Sequence, residues 1–340
     1  STTDLLSGTN GAFSAGSVVT SPSSITSSLD VDQNFYTELE YAIVSTINAS
    51  DGYCLRVTNN GTDLDSYATV AEMSLSFDPT ISSIILNEGN PITLQPGATT
   101  TVYATGTVSD LNGYSDLVLA TSTIYRSGAG AACVADTNNC YISNTSAGSC
   151  SFTDCAGSTC TIQCQADIYY NADPTDDNIY EGEEWLAYVE VEDAAGGYDF
   201  SSAMGVELMT LRYISTNQGI DYGTLEPAQD TGANNASTTI YNLGNDNLDI
   251  DIEATDLSNG LSSIIPATEQ KFSTSTFTYN SCGDCGTLSS STIQSVPLDL
   301  PKPSTPAPFV NDVLYWGINV PFGTAATSHQ GVNTLYAVGE

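Results

Sequence analysis

The sequence predicts an all-β chain folded as β-sandwiches. Three observations carry that expectation: apolar residues at helical spacing are almost absent, alternating and β-branched runs recur throughout, and Gly, Asn, Asp and Pro separate those runs at short intervals. With 340 residues, 40% of them hydrophobic, the chain can supply two or three cores of the roughly hundred-residue size usual for sandwiches.

Taken in order, the candidate strands begin with ELEYAIVSTI, GYCLRVTN and TVAEMSLSF. TTVYATGTV, LVLATSTIYR, CTIQCQADIYY, EEWLAYVEVED and VELMTLRYI follow, then STTIYNL, LDIDIEA, IQSVPLDL, DVLYWGINVP and TLYAVG. Turn-rich stretches near 78–82 and 215–219 divide the chain into regions 1–79, 80–215 and 216–340. Region 1–79 opens with Ser, Thr and Gly and few apolar residues, so the expectation is a small or incomplete β region, completed by a neighbouring subunit. In region 80–215, taking TTVYATGTV as strand B, LVLATSTIYR as C, EEWLAYVEVED as F and VELMTLRYI as G yields an immunoglobulin-like order. A cysteine-rich insertion, 133–164, then falls between C and E. Region 216–340, with an edge strand expected in IDYGTLEPAQ, reads as a second sandwich of the same kind.

Charge excludes whole classes of partner. Forty acidic residues stand against five basic ones, Arg56, Arg126, Arg212, Lys271 and Lys302, giving a formal charge of -35. Nucleic acid and anionic membrane surfaces need clustered Lys and Arg to release counterions, and here these residues are scattered singly. Cations are the natural counter-partners of such a surface. No stretch reaches the ~20 apolar residues of a membrane span, and STTDLLSGTN lacks a signal peptide's basic start and apolar core.

Nine cysteines point to an oxidising compartment. Cys133, Cys140, Cys150, Cys155, Cys160 and Cys164 crowd into one polar segment with too few apolar residues to hold its shape by burial, which reads as a disulfide-stapled loop. Their spacings are not those of zinc knuckles. Closure between neighbours, Cys133 with Cys140, Cys150 with Cys155 and Cys160 with Cys164, is the simplest guess at the pairing, although sequence alone does not settle it. Cys282 and Cys285 form a Cys-x-x-Cys that no helix follows, so a disulfide across a turn is expected rather than a redox dithiol. Cys54, left over in GYCLRV, reads as a buried thiol.

The most specific motif is a near-repeat, VSDLNGYSD ending at Asp116 and VEDAAGGYD ending at Asp199. Each sets an Asp at a strand end, then a Gly-containing turn, a Tyr and a second Asp. As B–C and F–G connections they emerge at one end of a sandwich, so Asp110, Asn112, Asp116, Asp193 and Asp199 converge in a candidate Ca2+ site of oxygen ligands. The same residues equally suit ordinary hairpin turns, in which Asp and Asn bond their own backbone and Gly supplies positive φ. A second acidic run, ADPTDDNIYEGEE, lacks the spacing of an EF-hand loop and reads as solvated.

Catalytic signals are weak, and the expectation is that the chain is not an enzyme. His329 is the single histidine and has no nucleophile motif beside it. A carboxylate pair of the glycosidase kind is not marked out by any spacing. Trp185 and Trp316 sit in alternating strands and are expected in two cores rather than on a sugar-stacking face. Sequons at Asn48, Asn60, Asn144 and Asn235 suit an exposed secreted surface.

DLNGYSDLVLATSTIYRSG, ADIYYNADPTDDNIYEGEEWLAYVEVED, IDYGTLEPAQDTGANNASTTIYNLGNDNLDIDIEATDL and VLYWGINVPFGT together resemble the repeated immunoglobulin-like modules in large secreted surface proteins of Patescibacteria-type (candidate phyla radiation) bacteria. The resemblance runs from about Leu86 to the C-terminus, and ELEYAIVSTINASDGYCLRVTNNGTDLDSY is similar to parts of the same proteins. It implies a cell-envelope location and an adhesive or structural role, and it carries over no catalytic residue. The resulting expectation is an extracellular cell-surface structural protein, the self-assembling subunit of a filament or array joined by strand addition. The alternative is a monomeric adhesin or carbohydrate-binding module. The expected partners are other copies of the chain, or other surface proteins and glycans.

Overall fold

The computed structural model describes residues 76–340, with Asn178 described by its backbone alone, and five backbone strands before them. These are β1 (Thr2–Gly8), β2 (Val18–Val19), β3 (Gly52–Asn59), β4 (Thr62–Asp63) and β5 (Glu72–Met73), joined in a sheet of order β2-β1-β3-β4 with β5 also on β3. ELEYAIVSTI, Asn48 and Asn60 lie outside the described residues. Cys54 lies on β3, where side chains are not described.

The chain is all-β, and two pairs of facing sheets follow. The first pair contains β6 (Thr80–Leu86), β7 (Thr99–Ser109), β8 (Leu117–Arg126), β9 (Cys140–Asn144), β10 (Cys150–Ala156), β11 (Thr159–Tyr169), β12 (Trp185–Asp193) and β13 (Tyr198–Ser202). One sheet runs β10-β11-β7-β6 and the other β13-β12-β8-β9, with antiparallel pairing throughout. Alternation places Val102, Ala104 and Val108 of β7 and Trp185, Ala187, Val189 and Val191 of β12 in one core, all 0–1% exposed. Fully burying side chains of this size stabilises by ~1.5–3 kcal/mol each.

The second pair contains β14 (Ile214–Thr216), β15 (Ala236–Asn242), β16 (Leu248–Ala254), β17 (Leu257–Ser258), β18 (Ile264–Ile265), β19 (Gln270–Ser273), β20 (Gly286–Thr287), β21 (Gln294–Leu300), β22 (Asn311–Ile318) and β23 (Asn333–Gly339). Its sheets run β14-β15-β22-β19-β20 and β21-β16-β23, and β17 pairs with β18. Ile240, Ile250, Ile252, Leu314 and Trp316 fill the core between them. Each buried indole finds an acceptor: Trp185 Nε1 donates to the Asp173 carbonyl at 3.0 Å, and Trp316 Nε1 to Thr238 Oγ1 at 3.1 Å.

Several expectations need correction. The disulfide-stapled loop expected at 133–164 is stapled but is largely regular β structure, with β9 extending one sheet and the β10–β11 hairpin edging the other. Its disulfides join Cys133 to Cys140, Cys150 to Cys164 and Cys155 to Cys160, so two of the three neighbour pairings fail. The reason is reach. At ~3.3 Å per residue, partners four or five apart on one extended strand lie ~13–17 Å apart, whereas a disulfide needs Cα atoms within ~7 Å. Cys150 instead lies directly opposite Cys164 in the hairpin register. Cys282 bonds Cys285 as expected.

VELMTLRYI is not a regular strand. Val206 and Leu208 make single bridges to Trp185 and Ile92 and pack into the first core. The strand beside β12 is the short β13, whose five residues are a weak sequence signal. IDYGTLEPAQ carries no strand either; the edge position belongs to Ile214–Thr216, so the crossing between sheet pairs falls at 209–213, slightly before 215.

ADPTDDNIYEGEE is not a solvated loop but an ion-paired joint between the two sheet pairs. Asp173, 4% exposed, accepts Arg126 Nε at 3.1 Å and Lys302 Nζ at 3.0 Å. Arg126 also pairs with Glu183 and lies 3.8 Å from the centre of the Tyr180 ring. Arg212 ties Asp177 to Asp246, and Lys302 Nζ also donates to Asn138 Oδ1. Thus three of the chain's five basic residues are gathered at one place.

Candidate metal centre

Asp110 and Asp193 are buried because they continue the inward phase of their strands. Val108 on β7 and Val191 on β12 face the core, and the next inward position on each chain is an aspartate. Both are 1% exposed. Each uses one oxygen to shape its own turn: Asp110 Oδ1 accepts the Asn112 N–H at 2.7 Å, and Asp193 Oδ1 accepts those of Ala195 and Gly197, both at 2.8 Å. The second oxygen of each, Oδ2, is buried with no hydrogen-bond partner.

Asp116 arrives from the short turn before β8. The Ala194 N–H donates to its carbonyl at 2.9 Å, locking the two loops together. One carboxylate oxygen from each of Asp110, Asp116 and Asp193 falls in a group no more than 4.8 Å across. Burial first, then the neighbouring carboxylates Asp116, Asp193 and Asp78, push the Asp110 carboxyl above its ordinary range. Three acidic oxygens at this separation, from a cluster in which two carboxylate oxygens are dry and unpartnered, could hold a hard divalent cation completed by carbonyls and water.

The other two expected ligands serve elsewhere. Asp199 lies on β13 opposite Val191, and its Oδ2 accepts the Ile81 N–H at 2.7 Å, clasping one sheet to the other. The near-repeat breaks here because β12 and β13 form a tight hairpin, while Asp116 sits in a separate turn before β8. Asn112 Oδ1 accepts the Phe77 N–H at 2.7 Å. The sequence reading missed Asp78, which approaches the cluster from the segment before β6 and has no motif of its own.

Among the sequons, Asn144 ends β9 half-buried, its Oδ1 accepting the Ala147 N–H at 2.7 Å. Asn235 is a poor acceptor for a glycan: its Nδ2 is buried, and its Oδ1 is engaged by the Phe277 N–H at 2.9 Å.

A second feature lies in the other sheet pair. A cavity of about 1070 Å3 opens between 216–227 and 324–335, over Gln270, Trp316 and Ile318. Gln270 Oε1 accepts from Tyr222 Oη at 2.9 Å and Asn333 Nδ2 at 3.1 Å, while its Nε2 is buried without a partner. Among the described residues no Lys or Arg lines the cavity. At its rim the His329 Nε2 meets Ser263 Oγ at 2.9 Å, and Nδ1 lies 3.0 Å from the Thr327 carbonyl. A main-chain carbonyl, not a carboxylate, backs this imidazole.

No helix among the described residues is long and apolar enough to cross a membrane. No protein-family model matches the chain, and no curated protein matches it either.

Proposed function

We propose that this chain is an extracellular cell-surface structural protein built from immunoglobulin-like sandwiches, the first of which holds a calcium ion at Asp110, Asp116 and Asp193. The carrying observation is the pair of buried, partnerless carboxylate oxygens on Asp110 and Asp193 beside the Asp116 carboxylate. Leaving buried charge uncompensated costs several kcal/mol, which a bound cation offsets. Four disulfides support the extracellular assignment. Within this reading the chain assembles with other copies by strand addition; β23, paired on one side only, offers an open sheet edge for it.

Calorimetric titration of the full chain with CaCl2 tests the ion, with sedimentation and electron microscopy in calcium and in chelator testing assembly. Saturable binding that Asp193→Asn weakens at least tenfold is expected. A chain with the same thermal midpoint in calcium and in chelator would sink the calcium reading, and a uniform monomer at high concentration the assembly reading. The monomeric adhesin or carbohydrate-binding alternative is favoured by one observation, the cavity with its partnerless Gln270 amide and no Lys or Arg among its described lining residues, which suits a neutral hydroxyl-rich ligand.

A further inference from the structure

We propose that Asp78 is the fourth carboxylate of this cation site, so that the bound ion fastens segment 76–82 to both loops and makes the attachment of the preceding chain calcium-dependent. The inference rests on the calcium reading above and adds the residue and the consequence.

Segment 76–82 is already pinned at two points, by the Phe77 N–H to Asn112 Oδ1 in one of these loops and by the Ile81 N–H to Asp199 Oδ2 on β13, each at 2.7 Å. Asp78 lies between the pins. Its carboxylate stands beside Asp193 at Gly197, just outside the Asp110, Asp116 and Asp193 group whose oxygens lie within 4.8 Å of one another. A side chain on Gly197 would put its first carbon 2.3 Å from Asp78 Oδ1 and 2.8 Å from Asp193 Oδ2. The missing side chain is therefore what lets those two oxygens flank one point, and Asp193 Oδ2 is one of the partnerless pair. Asp78 is also among the charges that act on the Asp110 carboxyl.

No described basic side chain offsets these four carboxylates. Arg126, Arg212 and Lys302 are engaged at the joint, and Lys271 at Tyr279. Like charges this close repel unless a counter-ion bridges them. Three buried or half-buried carboxylates supply the floor of a Ca2+ site, and the exposed Asp78, by rotating its side chain inward, supplies a lid-side ligand that solvent-borne ions can reach. Bridging four ligands, the ion would join the ends of β7 and β12 to the segment that leads from region 1–79 into β6.

Hydrogen exchange of the peptide covering 76–82 in the full chain, in CaCl2 and in chelator with MgCl2 as control, tests the proposal beside calorimetric titration. Calcium should slow exchange there about tenfold or more in the wild type. Asp78→Asn should weaken calcium binding about tenfold, because affinity follows the charge count of the ligands, and abolish that protection. Because Asp78 is exposed, the variant should keep its fold; Asp193→Asn serves as the weakened-binding control. Calcium binding that leaves 76–82 unprotected, or that Asp78→Asn does not weaken, overturns this inference and leaves the three-aspartate site standing. A wild type that binds no calcium overturns both.

Discussion

Replacing Asp173 by Asn should loosen both sheet pairs at once, because this one carboxylate neutralises a cation from each. Arg126 Nε and Lys302 Nζ reach it at 3.1 and 3.0 Å, and Asp173 is 4% exposed. At 3.0 Å and an effective dielectric of ~20, each attraction is of order 5 kcal/mol before desolvation is charged against it. Breaking such a buried pair from one side leaves an uncompensated charge and costs ~3–5 kcal/mol. Arg126 retains Glu183, and the Asn amide still accepts hydrogen bonds, which places the expected loss at the lower limit, about 3 kcal/mol. For sheet pairs of roughly 130 residues that corresponds to a drop of ~11 °C in thermal midpoint. Lys302→Met removes only the inter-unit arm and should cost ~1–2 kcal/mol. Calorimetry of both single variants and the double closes a mutant cycle with an expected coupling above ~1 kcal/mol. Additive effects with Asp173→Asn costing under ~1 kcal/mol would refute the joint as an energetic link.

Two further predictions concern stability. Cys150 and Cys164, 14 residues apart, should be worth about 3 kcal/mol by loop-closure entropy, against about 2 for Cys282–Cys285 at a separation of 3; urea midpoints of the paired Ala variants should rank in that order, and the reverse ranking would contradict the entropic account. Tyr279 is buried, with Glu269 and Asp230 nearby, and its phenol is pushed up to about 12. A raised folded-state value means its contribution is whole below the unfolded value near 10 and is lost as pH rises toward about 12. Urea midpoints should therefore fall between pH 10 and 12 by more in the wild type than in Tyr279→Phe; equal losses would refute this.

Much of the strand content was legible because alternation is a property of neighbours two residues apart. β8, β12 and β16 fall within runs read from the sequence, β7, β15 and β22 overrun theirs by one residue at one end or both, and the two Trp residues are buried in separate cores as their alternating surroundings implied. The same phase carried Asp110 and Asp193 inward, and the near-repeat also supplied Asp116, so three carboxylates of the candidate site were readable as well. Which carboxylates then met depended on register. Asp199 was turned toward Ile81 by hairpin pairing with β12, and Asp78 arrived from a distant segment with no motif.

The disulfide pairing and the joint were decided by tertiary structure alone. Cysteine spacing says how many bonds can form, but only the β10–β11 register sets Cys150 opposite Cys164. An acidic run looks solvated until a fold delivers the scarce cations to it, and Arg126, Arg212 and Lys302 come from positions up to 176 residues apart in the numbering. Sequence by itself determined the all-β class and the inward-facing aspartates, since both follow from local periodicity. Tertiary structure chose the partners, because contacts between distant strands depend on register and packing that no local pattern encodes.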